Sequence, residues 1–251
     1  MNVQLLNKDV FDAMARNAVY AALTCTGNEA QLDETNIKSF LCKLIGKGHE
    51  SILEHINLTF RIEGISRALL QELSRHRHIS LSVQSTRSTL KKTLTSPAKA
   101  PHLLDNLNKV LLLAADVLPE AIKNTAPNLN NVRHIDAALV HSMDIFYELM
   151  RMDSKADGFV PDYVKYLIPE CMPTDLVMTV NVRELRHIFY LRSQPDVLLE
   201  FRRLVAHLYK AIPDGWEILF TNVLHSAVFD NLAELTAAPD VEDDAGGEDE
   251  E

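Results

Sequence analysis

The sequence predicts an α+β fold: one helix-rich domain, residues 1–237, built around a small antiparallel sheet and followed by an acidic tail, residues 238–251. Most apolar residues recur at helical spacing, and only two stretches, near residues 56–62 and 175–182, alternate with the period of a strand. No strand–helix–strand unit repeats along the chain, which argues against a parallel sheet.

Val10 to Leu23 carries the first helical pattern. Asn36 to Ile45 carries the second, with Ile37, Phe40, Leu41, Leu44 and Ile45 on one face and Gly46 and Gly48 as its stop. From Ile56 to Ile62 the period becomes two, with Leu58 and Phe60 apolar between Asn57, Thr59 and Arg61, so a half-buried strand is expected there, ended by Gly64. Ile65 to Leu73 returns to helical spacing with Ser66 as cap, and it delivers Arg75 and His76 at its end. Longer helical patterns occupy Leu103 to Ala121 and Val132 to Met152. Asp175 to Val182 alternates again and runs into the basic helix RELRHIFYLR. Val197 to Ala211 is helical, and Pro213, Asp214 and Gly215 form the turn that ends it.

The formal charge of −10 is concentrated in the tail, where Asp240 to Glu251 hold eight acids and no base; the remaining body is near −2. A block of like charge with almost no apolar content predicts disorder after Ala237. Arg61 to Lys92, by contrast, holds seven Lys or Arg against two Glu, so the local potential there is positive. Cys25, Cys42 and Cys171 are odd in number and widely spaced, which fits neither a disulfide framework nor a CxxC site. No apolar run approaches the roughly 18 residues of a membrane span, and no secretory signal is visible. A cytoplasmic protein without a membrane partner is the expectation.

The densest chemistry lies in Arg75 to Arg87, RHRHISLSVQSTR, where two arginines and two histidines occupy four consecutive positions and hydroxyls follow. Crowded cations repel one another, so an anion is expected among them; Arg forks, hydroxyls and backbone N–H groups suit phosphate or carboxylate. A solvated helix end is the plain alternative. Asn181, Arg183, His187 and Arg192 form a second basic element, with Arg183 and His187 on one helical face. There is neither GxGxxG nor GxxxxGK[ST], so a nucleotide would be held by side chains. GHESILEH lacks the second histidine of HExxH, because Leu53 stands in its place, and a metal site is not expected. His49 and Glu54 remain there as a polar pair at a turn. Ser85 reads as a binding residue, since no base is identifiable for it, and Cys171 reads as a packing residue.

Arg75-His76-Arg77 followed after seven residues by Ser85 resembles the signature of the flavin-dependent thymidylate synthases. GHES…LEH, GISRALLQELSRHR and the Asn181-Val182-Arg183…Leu185…Leu191-Arg192 element are similar to further motifs of that family, so the likeness runs in order from about Met14 to Leu208. The resemblance implies reductive methylation of dUMP to dTMP, with 5,10-methylenetetrahydrofolate as carbon donor and NADPH as reductant through FAD. It implies a homotetramer with active sites at subunit interfaces, and no nucleic acid polymer as partner. Carried over by position, it places His49, Ser51, Arg75, His76, Arg77, Asn181, Arg183 and His187 on FAD, with Glu54 in support. Gln71, Ser85, Thr86, Arg87, Lys165 and Arg192 would hold dUMP, Ser85 to Arg87 at the phosphate and Arg192 at the uracil. Ser85 and Arg192 are the candidate catalytic residues, Ser85 by positioning and Arg192 by stabilising enolate-like charge on the ring. The chain departs from the family pattern at Val83, where Glu or Gln is usual, at Lys165, where Arg is usual, and at Leu23 before Cys25.

Two other readings stay open on sequence alone. In one, Cys171 attacks the pyrimidine without a flavin; in the other, the basic elements form a non-catalytic RNA- or nucleotide-binding module. The acidic tail and near-neutral body weigh against a polyanion partner.

Overall fold

The computed structural model of the chain describes residues 1–85, 170 and 173–237. Among them, four strands form one sheet: β1 (Asn2–Leu5), β2 (Asn57–Ser66), β3 (Ile79–Val83) and β4 (Pro173–Asn181). Their order is β1-β2-β4-β3, with every neighbouring pair antiparallel. The helices of the described residues are α1 (Phe11–Thr24), α2 (Ile37–Gly46), α3 (Arg67–Ser74), α4 (Val182–Arg192), α5 (Leu199–Lys210), α6 (Ser226–Phe229) and α7 (Leu232–Thr236). This is the α+β architecture expected from the sequence. The patterns at 103–121 and 132–152 and the tail from residue 238 lie outside the described residues.

Alternation decides which face of the sheet is buried. Leu58, Phe60 and Ile62 of β2 and Leu176, Met178 and Val180 of β4 share one face and are buried in a single core. The opposite face is more polar: Thr59 and Thr179 are direct cross-strand partners and their hydroxyls lie 3.1 Å apart. Onto the buried side pack Phe11, Ala15, Ala18, Val19 and Leu23 of α1, Val182, Leu185, Ile188 and Phe189 of α4, and Phe201, Leu204 and Leu208 of α5. These spacings are those of an amphipathic stripe.

Two strands went unread in the sequence, and one was read too short. β1 is only four residues long and β3 lies inside the hydroxyl-rich run taken for an anion cradle. β2 does not end at Gly64: it continues to Ser66 through a bulge, in which Glu63 and Gly64 face the single residue Asp175. Gly64 takes φ +68°, a conformation that glycine adopts without steric cost, and its N–H is satisfied by the Asp175 carboxylate at 2.9 Å. The extension matters for the site. It carries the strand directly into Ser66, whose Oγ accepts from Leu69 N–H at 3.0 Å and starts α3.

Candidate active site

Three chain junctions build the site. The first follows α2. Gly48, at φ +75°, donates to the Ile45 carbonyl and His49 N–H to the Leu44 carbonyl, each at 2.9 Å, the paired bonds of a glycine-terminated helix. The chain thereby turns His49 outward and enters a 3-10 turn, Ser51–His55, pinned by fully buried Leu53. His49, Ser51 and Glu54 are exposed. The expected pairing of His49 with Glu54 is not made: the Glu54 carboxylate accepts instead from Arg183 Nη1 at 2.5 Å, across 129 residues. Sequence spacing pointed to the local partner, and the fold brought a stronger donor.

The second junction ends α3. Arg75 is its C-terminal cap residue, and the His76 N–H bonds to the Leu73 carbonyl at 3.1 Å, so the chain reverses tightly into β3. Arg75, Arg77 and His78 emerge exposed, while His76 is buried, with 7% of its surface accessible. Its Nε2 accepts from Arg192 Nε at 3.1 Å and its Nδ1 lies 3.5 Å from Glu184 Oε1. Burial above all, and then the Arg192 charge, hold the His76 pKa below that of an ordinary histidine, against the opposing pull of Glu184.

The third is the passage from β4 to α4. Asn181 Oδ1 accepts from Glu184 N–H at 2.8 Å and caps the helix, so its side-chain oxygen is a structural group. One turn apart, Arg183 and His187 are both exposed and line a cleft of about 620 Å³ together with Asn181, His78 and Tyr190. Glu50 and Glu54 also line it, each paired with an arginine, Glu54 with Arg183 and Glu50 with Arg186. Arg186 was overlooked in the sequence. It is 2% exposed, and it donates to Glu50 at 3.0 Å, to Asn222 Oδ1 at 2.9 Å and to the Leu219 carbonyl. The signal was available: position 186 falls four after Val182 and three before Phe189, on the buried face of the helix.

At the far end of α4, Arg192 faces a second cleft, of about 690 Å³, with Gln71, Glu72, Glu170 and Phe201 in its lining. Gln71 donates to Glu170 at 2.7 Å. Arg192 Nη1 donates to Glu72 at 3.0 Å, and its guanidinium carbon lies 4.7 Å from the centre of the Phe201 ring. A third cleft, of about 460 Å³, joins the two, sharing His78, Glu184 and His187 with the first and Glu72 and Arg192 with the second. Arg75, His76 and Arg77 line this middle section.

Eleven positions named from the sequence thus divide by place. His49, Ser51 and Glu54 lie at the first junction; Arg75, His76 and Arg77 at the second; Asn181, Arg183 and His187 at the third; Gln71 and Arg192 in the second cleft. Ser85, exposed, follows edge strand β3 just beyond Gln84, whose N–H bonds to the Asp175 carbonyl at 2.9 Å. Val83, the position that departs from the family pattern, is exposed on β3. Thr86, Arg87, Lys165 and Cys171 lie outside the described residues. Among the described residues no group of His, Cys, Asp or Glu is arranged to hold a metal ion, and no helix is long and apolar enough to cross a membrane.

Of the three clefts, the middle one carries more arginines than carboxylates in its lining. Arg75 and Arg77 form no ion pair among the described residues and stand on the rim of the middle cleft, as a phosphate-bearing ligand requires. The chain matches the family model described as Thymidylate synthase complementing protein over residues 7–214. A flavin-dependent thymidylate synthase of Campylobacter jejuni is 36% identical over 181 residues, which are 72% of this chain and 77% of that protein. Its counterpart in Wolinella succinogenes is 33% identical over 68% of this chain and 74% of that one. The crystal structure of the Helicobacter pylori enzyme with FAD and dUMP superposes with a TM-score of 0.66 at 29% identity, covering 89% of this chain and 99% of that one. By motif, sequence and fold together, the chain belongs to the flavin-dependent thymidylate synthases.

Proposed function

We propose that this flavin-dependent thymidylate synthase converts dUMP to dTMP with 5,10-methylenetetrahydrofolate as carbon donor and NADPH as reductant, and that its two end clefts divide the work. The first and middle clefts take FAD, and the second takes dUMP. The single observation that carries this reading is that the middle cleft, lined by the Arg75–Arg77 turn, shares residues with both end clefts and sets two arginines beside Arg192.

The donor set fits the flavin. A pyrophosphate without a glycine-rich loop needs side-chain cations, and Arg75, Arg77, Arg183 and His187 are exposed and line the first and middle clefts. His49 and Ser51 stand beside them at the first junction, Glu54 steadies Arg183, and Asn181 contributes its amide nitrogen while its oxygen caps α4. His76, being buried, offers the ligand its backbone more readily than its ring. When bound, FAD supplies the hydride chemistry that no side chain possesses.

In the second cleft, Gln71 and Arg192 meet the base, while Ser85, Thr86, Arg87 and Lys165 are assigned to the phosphate side. A guanidinium has five N–H donors. Arg192 uses one on His76 and one on Glu72, which leaves three for a uracil carbonyl, where they stabilise charge developing on the ring. Ser85 positions rather than attacks.

Large apolar side chains stand exposed at each cleft: Tyr190 at the first, Leu191 at the middle and Leu198 at the second. Such residues beside an open ligand site support a homotetramer in which neighbouring subunits cover the clefts. The test is tritium release from 5-labelled dUMP by purified protein with methylenetetrahydrofolate and NADPH, before and after FAD is stripped. Release that requires FAD is expected. No release from folded, flavin-loaded protein overturns the reading, and salt-sensitive RNA binding without flavin uptake would put a binding module in its place.

A further inference from the structure

The side chains of His76 and Glu184 lie between the two ligand clefts, and neither is free to reach far into either. His76 retains 5% of its side-chain exposure and Glu184 11%, and they stand 3.5 Å apart. On the other side of the imidazole, Arg192 Nε approaches Nε2 to 3.1 Å. A guanidinium only donates, so Nε2 must present its lone pair; in a neutral ring the proton then resides on Nδ1, the nitrogen that faces the Glu184 carboxylate. An imidazolium would oppose the Arg192 donor with a second donor. The burial of His76 and the Arg192 charge both favour the neutral ring.

We infer that Glu184 and His76 form a positioning device for Arg192. Glu184 selects the Nδ1–H tautomer, the Nε2 lone pair holds the guanidinium by its Nε edge, and the nucleotide cleft receives Arg192 already oriented. Glu72 fixes the same guanidinium from Nη1 at 3.0 Å, and the Phe201 ring packs at 4.7 Å from its central carbon and in edge contact with His76, 6.1 Å between centroids. Three contacts thus remove the rotamer freedom that a long side chain would otherwise lose on binding its ligand. Glu184 and His76 are positioning residues, since they act through Arg192. The assignment rests on Arg192 being a nucleotide contact.

The experiment titrates dUMP into the flavin-loaded full chain by calorimetry and measures FAD retention and melting temperature in parallel. Glu184→Ala should weaken dUMP binding at least tenfold with FAD affinity within about twofold of wild type. Glu184→Gln keeps a carbonyl oxygen to accept from Nδ1–H and should stay within about threefold. His76→Leu should likewise weaken dUMP binding at least tenfold, and His76→Gln, whose amide oxygen can accept from Arg192, should recover part of that loss. Wild-type dUMP affinity in Glu184→Ala overturns the inference, as does a parallel fall of dUMP affinity, FAD affinity and melting temperature, the mark of a merely structural pair. Arg192→Ala separates the two claims: if it binds dUMP normally, the nucleotide role of Arg192 fails first and the device falls with it.

Discussion

Replacing Arg186 by Met tests whether one buried cation ties the Ser51–His55 turn to the core. Arg186 joins three segments: Glu50 before the Ser51–His55 turn, α4 itself, and the loop at Leu219 and Asn222. The substitution removes a charge-assisted hydrogen bond, worth about 1.5–3 kcal/mol, and leaves the buried Leu219 carbonyl without this donor, at about 1–3 kcal/mol. Two effects oppose this. The Glu50 side chain is 33% exposed and can take up water, and Arg186 Nε has no hydrogen-bond partner among the described residues, so a desolvated donor disappears with the charge. Methionine also keeps much of the apolar stem. The net expectation is a loss of about 3 kcal/mol, or roughly 6–12 °C in melting temperature for a chain of this size. Glu50→Ala, which strands a buried guanidinium, should cost about 3–5 kcal/mol. Because each single change breaks the same pair, the double variant should be more stable than additivity predicts by more than about 1 kcal/mol. The assay is thermal and urea unfolding of flavin-free protein at one fixed concentration, with FAD affinity measured alongside and expected to weaken as the His49–Ser51 turn loosens. A melting temperature for Arg186→Met within about 2 °C of wild type, or an additive cycle, would refute the reasoning.

His207 gives a pH-dependent prediction. Burial, then the amino terminus, Lys210 and Arg203, push its pKa down to about 4 from an ordinary 6.5. The unfolded chain therefore binds a proton that the folded chain refuses, so this contribution to stability is complete above about pH 6.5 and is lost as the pH falls toward 4. The melting-temperature difference between wild type and His207→Gln should shrink or reverse over that window; parallel curves would count against it. At Gly64, a methyl group would meet, among the described residues, Met1 backbone atoms at 3.7 and 3.8 Å, ordinary contact, so Gly64→Ala should cost the left-handed backbone strain of about 1–2 kcal/mol and Gly64→Asn less. Equal unfolding midpoints for Gly64→Ala and wild type would show that the bulge does not need its glycine.

Legibility followed the range of the interaction. Asn36, Ser66 and Asn181 each precede a helical pattern, and each accepts a hydrogen bond from the backbone three residues on, so these helix starts could be read locally. β3 carried a readable signal that a chemical reading hid: Ile79, Leu81 and Val83 alternate with Ser80 and Ser82, and the serines drew attention to anions instead. β1 is too short for a period to show, and it exists because Val3 and Gln4 find Ile62 and Arg61 across the sheet. The stop assigned to Gly64 failed for a related reason, since the same residue that ends an isolated strand makes a bulge when Asp175 stands opposite to satisfy it.

The sequence by itself determined the class of fold and the core faces of β2 and β4, because periodicity and caps are properties of neighbouring residues. Tertiary structure alone decided the partners. It gave Glu54 to Arg183 rather than to His49, turned His76 inward to Arg192 and Glu184, and placed Arg186 on Glu50 across 136 residues. A charge's partner depends on which segments the closed chain brings within a few ångströms, and that is settled by burial of the shared core, not by the order of residues around the charge.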